Sequence, residues 1–299
     1  MDSGLVLVCA ELRESVRMMS HRAHERAANT RVGPSPSERW WPAMIAVISD
    51  IHGNEQALRA VLAEVGEVDA IFCAGDIVGY GPNPNECCEL VQKYGVRAVQ
   101  GNHDFVCANL DRLDGAYDGF DPEDQALCRD MFDQKNSAAQ AASVWTSSVL
   151  TEDNKEFLRQ LPLQIMEEGL IMVHGKPGSK ADMLNEYMLP GEVRDASSAG
   201  LEGRILVVGH SHIPIRTPRV VNPGSVGQPR DRNWRASFAM LKDAWYRFSY
   251  INDQDMSFRI VSQLVNIHRI PYDIRTTMER IKAEPDLPDT LGERLTVGM

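Results

Sequence analysis

The sequence contains no apolar run approaching the ~20 residues that a bilayer-crossing helix needs, which argues against a helical membrane span. It has no CxxC pair and no framework of spaced cysteines. Its six cysteines, Cys9, Cys73, Cys87, Cys88, Cys107 and Cys128, are scattered. In a chain of 299 residues that scatter fits reduced thiols in a cytoplasmic protein, and the adjacent Cys87 and Cys88 are expected to pack a helix face. An excess of positive charge is also missing. With 31 Lys and Arg against 42 Asp and Glu, the net charge is −11. Binding to a nucleic-acid backbone is driven by Lys and Arg, so nucleic acid is not the expected partner. The apolar stretch Leu5–Ala10 has no basic residues before it and no cleavage signature after it, so it does not read as a secretory signal.

What is present is an ordinary globular composition, 43% hydrophobic and 24% charged, long enough for one large α/β domain or two modest ones. Residues 1–42 stand apart: polar, mixed in charge and closed by the Pro/Ser stretch 33–37. They read as a weakly ordered extension, with Met44 close to the functional start and the domain proper over 43–299. From Met44 strands and helices alternate. Ile45–Ile48 runs into Ser49-Asp50-Ile51-His52-Gly53-Asn54, followed by a helix with Leu58, Val61, Leu62 and Val65 at helical spacing. Ala70–Cys73 ends at Gly75-Asp76. A helix over Glu86–Tyr94 leads to Arg97–Gln100, which ends at Gly101-Asn102-His103-Asp104. Strand–loop–helix repeats of this kind predict an α/β sheet with its loops gathered at the strand C-terminal ends. Residues 105–165, with 11 acids against 5 bases from Phe105 to Gln160, read as a helical insertion. Strands return at Leu170–Val173, Ile205–Val208, Val220–Val221, Ser237–Leu241, Trp245–Ile251 and Met256–Val261, and a helical tail is expected from about 270 to 299.

Five segments place metal-type ligands directly after a strand: Asp50-Ile-His52, Gly75-Asp76, Gly101-Asn102-His103-Asp104, His174-Gly175 and His210-Ser-His212. One histidine after a strand is an ordinary surface or core residue. Five such segments at one end of a sheet are not explained that way. Carboxylate, imidazole and amide oxygen without thiolate suit Mn, Fe, Zn, Co or Ni. The seven ligands Asp50, His52, Asp76, Asn102, His174, His210 and His212 are too many for one ion and suit two divalent ions sharing a carboxylate.

The motifs DIHGN, GDIVGYGPNPNE, GNHD, VHG and GHSH, in this order from Met44 on, resemble the calcineurin-like metallophosphoesterase superfamily. The stretches Asn222–Asp231 and Ile270–Ile274 resemble its bacterial branch of small phosphoesterases and diadenosine tetraphosphate hydrolase-like proteins. The resemblance implies a four-layer αββα sandwich of two mixed β-sheets flanked by helices. It implies one metal on Asp50, His52, Asp76 and His212, the other on Asp76, Asn102, His174 and His210, and hydrolysis by a hydroxide shared between them. It gives His103 the role of general acid or transition-state cation, with Asp104 either orienting it or capping a turn.

The substrate expected is a small phosphoester, a diester or a nucleotide, with dinucleoside polyphosphate hydrolysis as the alternative within enzymes. A non-catalytic scaffold of the same fold would be expected to have lost ligands or His103. Protein Ser/Thr phosphatases continue Gly-Asp into Asp-Arg-Gly, where this chain has Gly79-Tyr80-Gly81. From Gly203 to Arg235 there are six arginines and one acid, Asp231, and Arg230 is the best candidate for a phosphate clamp. Asn54 is a second substrate candidate, with helix capping as its other reading. The insertion and residues 176–200, notably Lys176 and Lys180, are expected to wall the cleft.

Overall fold

The computed structural model describes residues 44–113, 119–167, 169–198, 204–217, 219–242 and 265–299. All of them belong to one compact unit, Trp41–Met299. The proposed extension 1–42 and the strands expected at Trp245–Ile251 and Met256–Val261 lie outside the described residues.

The first sheet is built from β1 (Met44–Ile48), β2 (Ala70–Cys73), β3 (Arg97–Ala98), β9 (Ala236–Lys242) and β10 (Val265–Ile270), in the order β10-β9-β1-β2-β3. The strands β1, β2 and β3 run parallel, while β9 is antiparallel to both β1 and β10. The second sheet contains β4 (Gln164–Met166), β5 (Leu170–Val173), β6 (Ile205–Val207), β7 (Ile215–Arg216) and β8 (Val220–Asn222), in the order β4-β5-β6-β8-β7. Here β5, β6 and β8 are parallel, with antiparallel strands at both edges. Both sheets are mixed, as the resemblance implied, and each has five strands among the described residues.

Strand alternation decides how the layers meet. Ile45, Val47, Phe72 and Val99 from one sheet pack with Leu170, Met172, Ile205, Val207 and Val221 from the other in one buried cluster. The opposite-facing residues of β1, Ala46 and Ile48, pack under α1 (Glu55–Val65) and α2 (Pro84–Lys93). Val173, Leu206 and Val220 pack under Val193 of α8 (Pro190–Ser198). A period of two, apolar on both sides, is what a sheet covered on both faces requires.

The insertion is helical, with α3 (Asn102–Asn109), α4 (Pro122–Asp133), α5 (Ser137–Val149) and α6 (Glu152–Gln160). Asp121, Asn136 and Thr151 accept backbone N–H bonds at the starts of α4, α5 and α6. A short α7 (Lys180–Asn185) follows β5, and the tail folds into α9 (Ile274–Ala283) and α10 (Thr290–Glu293). Ile281, Leu287, Leu291 and Leu295 of the tail share a buried cluster with Ala139, Ala142 and Trp145 of α5 and with Tyr80. Insertion and tail are thereby joined above the strand ends. Among the described residues no helix is long and apolar enough to cross a membrane. Cys73, Cys87, Cys88, Cys107 and Cys128 are free and buried.

Candidate metal centre

Every candidate ligand except His212 lies within a few residues of the C-terminal end of a parallel strand: Asp50 after β1, Asp76 after β2, Asn102 after β3, His174 after β5 and His210 after β6. The convergence costs backbone strain. Asp50, His52, Asp76, His210 and His212 all have φ between 50° and 63°, the left-handed region that side chains with a Cβ seldom enter. Five such residues in one cluster are held by their surroundings, and strain of this kind collects at functional sites. Asp50 N donates to Gly75 O and His52 N to Asp76 O, which ties the first two loops together. At Gly101 an added Cβ would collide with the Asp76 side chain and backbone, and at Gly81 with the His52 carbonyl. Only glycine lets these loops close on the ligands.

Two groups emerge, Asp50–His52–His212 and Asp76–His174–His210, all buried. His52 Nε2 lies 3.1 Å from His212 Nε2, and His212 Nε2 lies 3.4 Å from Asp50 Oδ1. Asp76 Oδ1 accepts from His103 N at 2.8 Å. Its Oδ2 lies 3.6 Å from His52 Nε2 and 3.3 Å from His174 Nε2, between the two groups. Asn102 Oδ1 lies 3.2 Å from Asp76 Oδ2, His174 Nε2 and His210 Nδ1 alike.

The tautomers follow from the outer contacts. His52 Nδ1 lies 3.1 Å from Val78 O, His174 Nδ1 2.7 Å from Ala74 O and His212 Nδ1 2.6 Å from Gln228 O. A carbonyl only accepts, so each ring holds a proton on Nδ1 and, when neutral, turns an Nε2 lone pair inward. Burial pushes His52 and His210 down to about 3 and His212 well below the usual imidazole value. Burial also disfavours charge on His174, but the Asp76 carboxylate outweighs it and raises that ring to about 9. Burial pushes Asp50 up to about 7, and its Oδ2 is buried with no hydrogen-bond partner. Burial works against ionised Asp76 too, yet His174 and His103 hold it well below the carboxylate range. The inward lone pairs of neutral His52 and His212, with Nε2 atoms 3.1 Å apart, repel unless a cation lies between them. The residues present fit divalent metal ions.

Residues 44–243 match the family model of the calcineurin-like phosphoesterase superfamily domain. The chain belongs to this superfamily. It is 35% identical over 282 residues to an uncharacterised protein of Methanocaldococcus jannaschii, covering 86% of this chain and 98% of that protein. A metallophosphoesterase from Sphaerobacter thermophilus is similar at 30% identity and a TM-score of 0.65, over 87% of this chain and all (100%) of that one. A symmetrical bis(5'-nucleosyl)-tetraphosphatase from Pectobacterium carotovorum is 38% identical over 63 residues, 19% of this chain and 22% of that protein.

The cleft of this phosphoesterase-family chain has a volume of about 370 Å³, and Asp76, Asn102, His103, His210 and His212 line it. His103 enters edge-on to His52 and tilted against Tyr80, its Nε2 3.2 Å from Lys135 Nζ. Arg230 also lines the cleft, with its guanidinium donating to Gln228 Oε1 at 2.9 Å.

The structure narrows four expectations: for Asp104 and Asn54 the side-chain contacts are those of the capping alternative. Asp104 does not orient His103. Its Oδ1 accepts from Ile77 N and Val78 N and its Oδ2 from Gly101 N, so it pins the loop after β2 to the start of α3. Asn54 is not in the substrate cleft. Its Oδ1 caps α1 at Ala57 N and its Nδ2 donates to Gly227 O and Tyr272 Oη. Lys176 pairs with Asp182 and Glu192, and Lys180 with Asp124, so neither walls the cleft. Of the six arginines in 203–235, Arg230 alone lines it. Arg204 and Arg216, for example, donate to the Glu167 and Val265 carbonyls instead.

Three cleft residues were not singled out from the sequence: Lys135 just after α4 and Tyr187 after α7, both inside the segments expected to wall the cleft, and Arg294 in the tail. The Tyr187 ring stacks on His210 with centroids 4.2 Å apart. None lies in a motif. The hints were the expected walls, 105–165 and 176–200, and the fact that Lys135 is among the few bases of an acidic insertion.

Proposed function

We propose that the protein hydrolyses small phosphate esters with two divalent cations. One is held by Asp50, His52, Asp76 and His212, and the other by Asp76, Asn102, His174 and His210. The observation that carries this reading is the inward convergence of four imidazoles, an amide oxygen and the Asp50 and Asp76 carboxylates, with the neutral His52 and His212 Nε2 atoms 3.1 Å apart and Asp50 Oδ2 buried without a partner. Divalent cations there supply Lewis-acid polarisation of a phosphoryl oxygen and lower the pKa of water.

The chain's own groups do the rest. The carbonyls of Val78, Ala74 and Gln228 fix the imidazole tautomers, and the loop that Asp104 pins aims Asp76. His103 is not a ligand in this reading. It faces the cleft beside Lys135; burial and Lys135 keep the free imidazole neutral, and the negative charge of a bound phosphate would draw on it the proton for the leaving oxygen, while Arg230 grips a non-bridging phosphoryl oxygen. Retention of all seven ligands together with His103 favours an enzyme over a binding scaffold.

The test is hydrolysis of p-nitrophenyl monoester and bis-p-nitrophenyl diester by protein loaded with Mn, Fe, Zn, Co or Ni in turn. Metal is counted per chain by mass spectrometry. Two ions per chain and turnover of an ester are expected, and Asp76→Asn should lose both. A fully loaded wild-type protein that cleaves neither ester nor a nucleotide overturns the reading.

A further inference from the structure

Three cations from separate parts of the chain face the same cleft. Lys135 comes from the insertion, Arg230 from the loop after β8, and Arg294 from the tail, beyond the residues matched by the family model. Tyr80 stands at their centre. The Arg230 and Arg294 guanidiniums lie 5.8 and 5.6 Å from its ring centroid, and its ring is 4.5 Å from His103, which Lys135 Nζ approaches to 3.2 Å.

None of the three pairs with an Asp or Glu side chain among the described residues. Arg230 donates to Gln228 Oε1 and, at 3.5 Å, to Tyr80 Oη, and Arg294 Nε donates to Met299 O. Arg230 Nε is buried with no partner. Among the described residues the only acid lining the cleft is Asp76, which is taken up by the candidate metal centre. Three like charges are thus concentrated in a protein of net charge −11. Burying them together is unfavourable unless an anion joins them.

Charge balance says what kind of anion. Two divalent cations against Asp50 and Asp76 leave two positive charges, which one phosphoryl group matches. Lys135 and Arg230 are then still unmatched, and Arg294, bound to Met299 O, lies beside them. A cleft of about 370 Å³ suits a small molecule and not a macromolecule.

We propose that Lys135, Arg230 and Arg294 form a second phosphate-binding pole, which selects substrates carrying at least two linked phosphoryl groups, such as a nucleoside diphosphate or longer polyphosphate. This deepens the phosphoesterase reading and rests on it for the place of the first phosphate. Lysine and arginine arriving from the insertion and the tail make the pole a product of tertiary structure.

Calorimetric titration of the metal-loaded full chain, at fixed free metal, with methylene-bridged ADP and with AMP tests the pole directly. The wild type is expected to bind the diphosphate at least about tenfold more tightly than AMP, from charge-assisted hydrogen bonds to the added phosphate. Arg294→Ala and Lys135→Met should each remove most of that preference, and Arg294→Lys should restore part of it. Equal wild-type affinity for the two ligands, or variants that weaken both equally and keep the ratio, overturns the pole. Lys135 and Arg294 sit on different elements, so misfolding of one variant leaves the other decisive. Ester hydrolysis by the same wild-type preparation is scored separately. Its absence refutes the phosphoesterase reading, whereas equal wild-type affinity for the two ligands refutes only the pole.

Discussion

Replacing Asn54 with alanine separates a structural role from a catalytic one. The side chain is 1% exposed and makes four hydrogen bonds. It accepts from Ala57 N as the cap of α1 and from Thr277 Oγ1 in α9, and it donates to Gly227 O and Tyr272 Oη. Loss of the cap costs about 1 kcal/mol. Gly227 O and Tyr272 Oη lose a buried donor, at about 1 kcal/mol or more each. Thr277 Oγ1 keeps Gln56 Oε1 at 3.1 Å and adds little. The total is about 3 kcal/mol, which lowers Tm by roughly 6–12 °C at the 2–4 °C per kcal/mol usual for chains of this order. Scanning calorimetry and urea unfolding measure that loss, while ester hydrolysis well below Tm should show KM within about twofold of wild type. A variant with unchanged Tm and a KM raised tenfold would refute the reasoning and return Asn54 to the substrate.

His103→Ala should keep both metal ions by mass spectrometry and lose about 10²–10⁴ in kcat, the usual worth of general acid–base help; unchanged turnover removes His103 from the chemistry. Chelating the metals should lower Tm by about 10 °C or more, since two sites each saturated at about 100 times Kd contribute about 2.7 kcal/mol apiece. An unchanged Tm on complete metal removal would show that the ligand cluster does not need cations. The metal-free protein should be acid-labile. Buried His52, His103, His210 and His212 stay unprotonated where the unfolded chain, with imidazoles near 6.5, takes up protons. Asp50 and Asp104, raised to about 7, act oppositely by binding protons in the folded state. Four histidines against two aspartates leave about two extra protons on the unfolded chain, so stability falls by about 2–3 kcal/mol per pH unit as pH drops from about 6 toward 4. A metal-free protein equally resistant to urea at pH 4.5 and 6.5 would contradict that balance.

The parallel core was readable because buried strands leave a mark that no other element leaves. Ile45–Ile48, Ala70–Cys73 and Leu170–Val173 are short apolar runs ending in polar loops, and each occurs as a strand. The edge strands were not readable. Gln164–Met166 and Ile215–Arg216 are three and two residues long and only partly buried, so they exist through pairing with β5 and β8 and carry no pattern of their own. Val265–Ile270 is longer, but one face of its alternation is filled by Asn266 and His268, and its partner β9 defines it.

At the site the same division has a sharper cause. Ligands after strands could be listed from the sequence, because a parallel sheet delivers its strand ends to one edge whatever its side chains are. Roles that depend on where a side chain points could not. Asp104 adjoins His103 in the chain, yet the first turn of α3 sends its carboxylate to three backbone N–H groups and leaves the imidazole to Lys135, 32 residues away. In the arginine-rich stretch 203–235 the sequence singled out Arg230, and the fold sends others, Arg204, Arg216 and Arg235, to separate partners. The cleft's positive charge is assembled from three distant segments that meet because Ala139, Ala142 and Trp145 pack against Leu287, Leu291 and Leu295. Leu291→Ala, far from any phosphate, should on this argument weaken methylene-bridged ADP binding more than AMP binding by loosening the tail that carries Arg294.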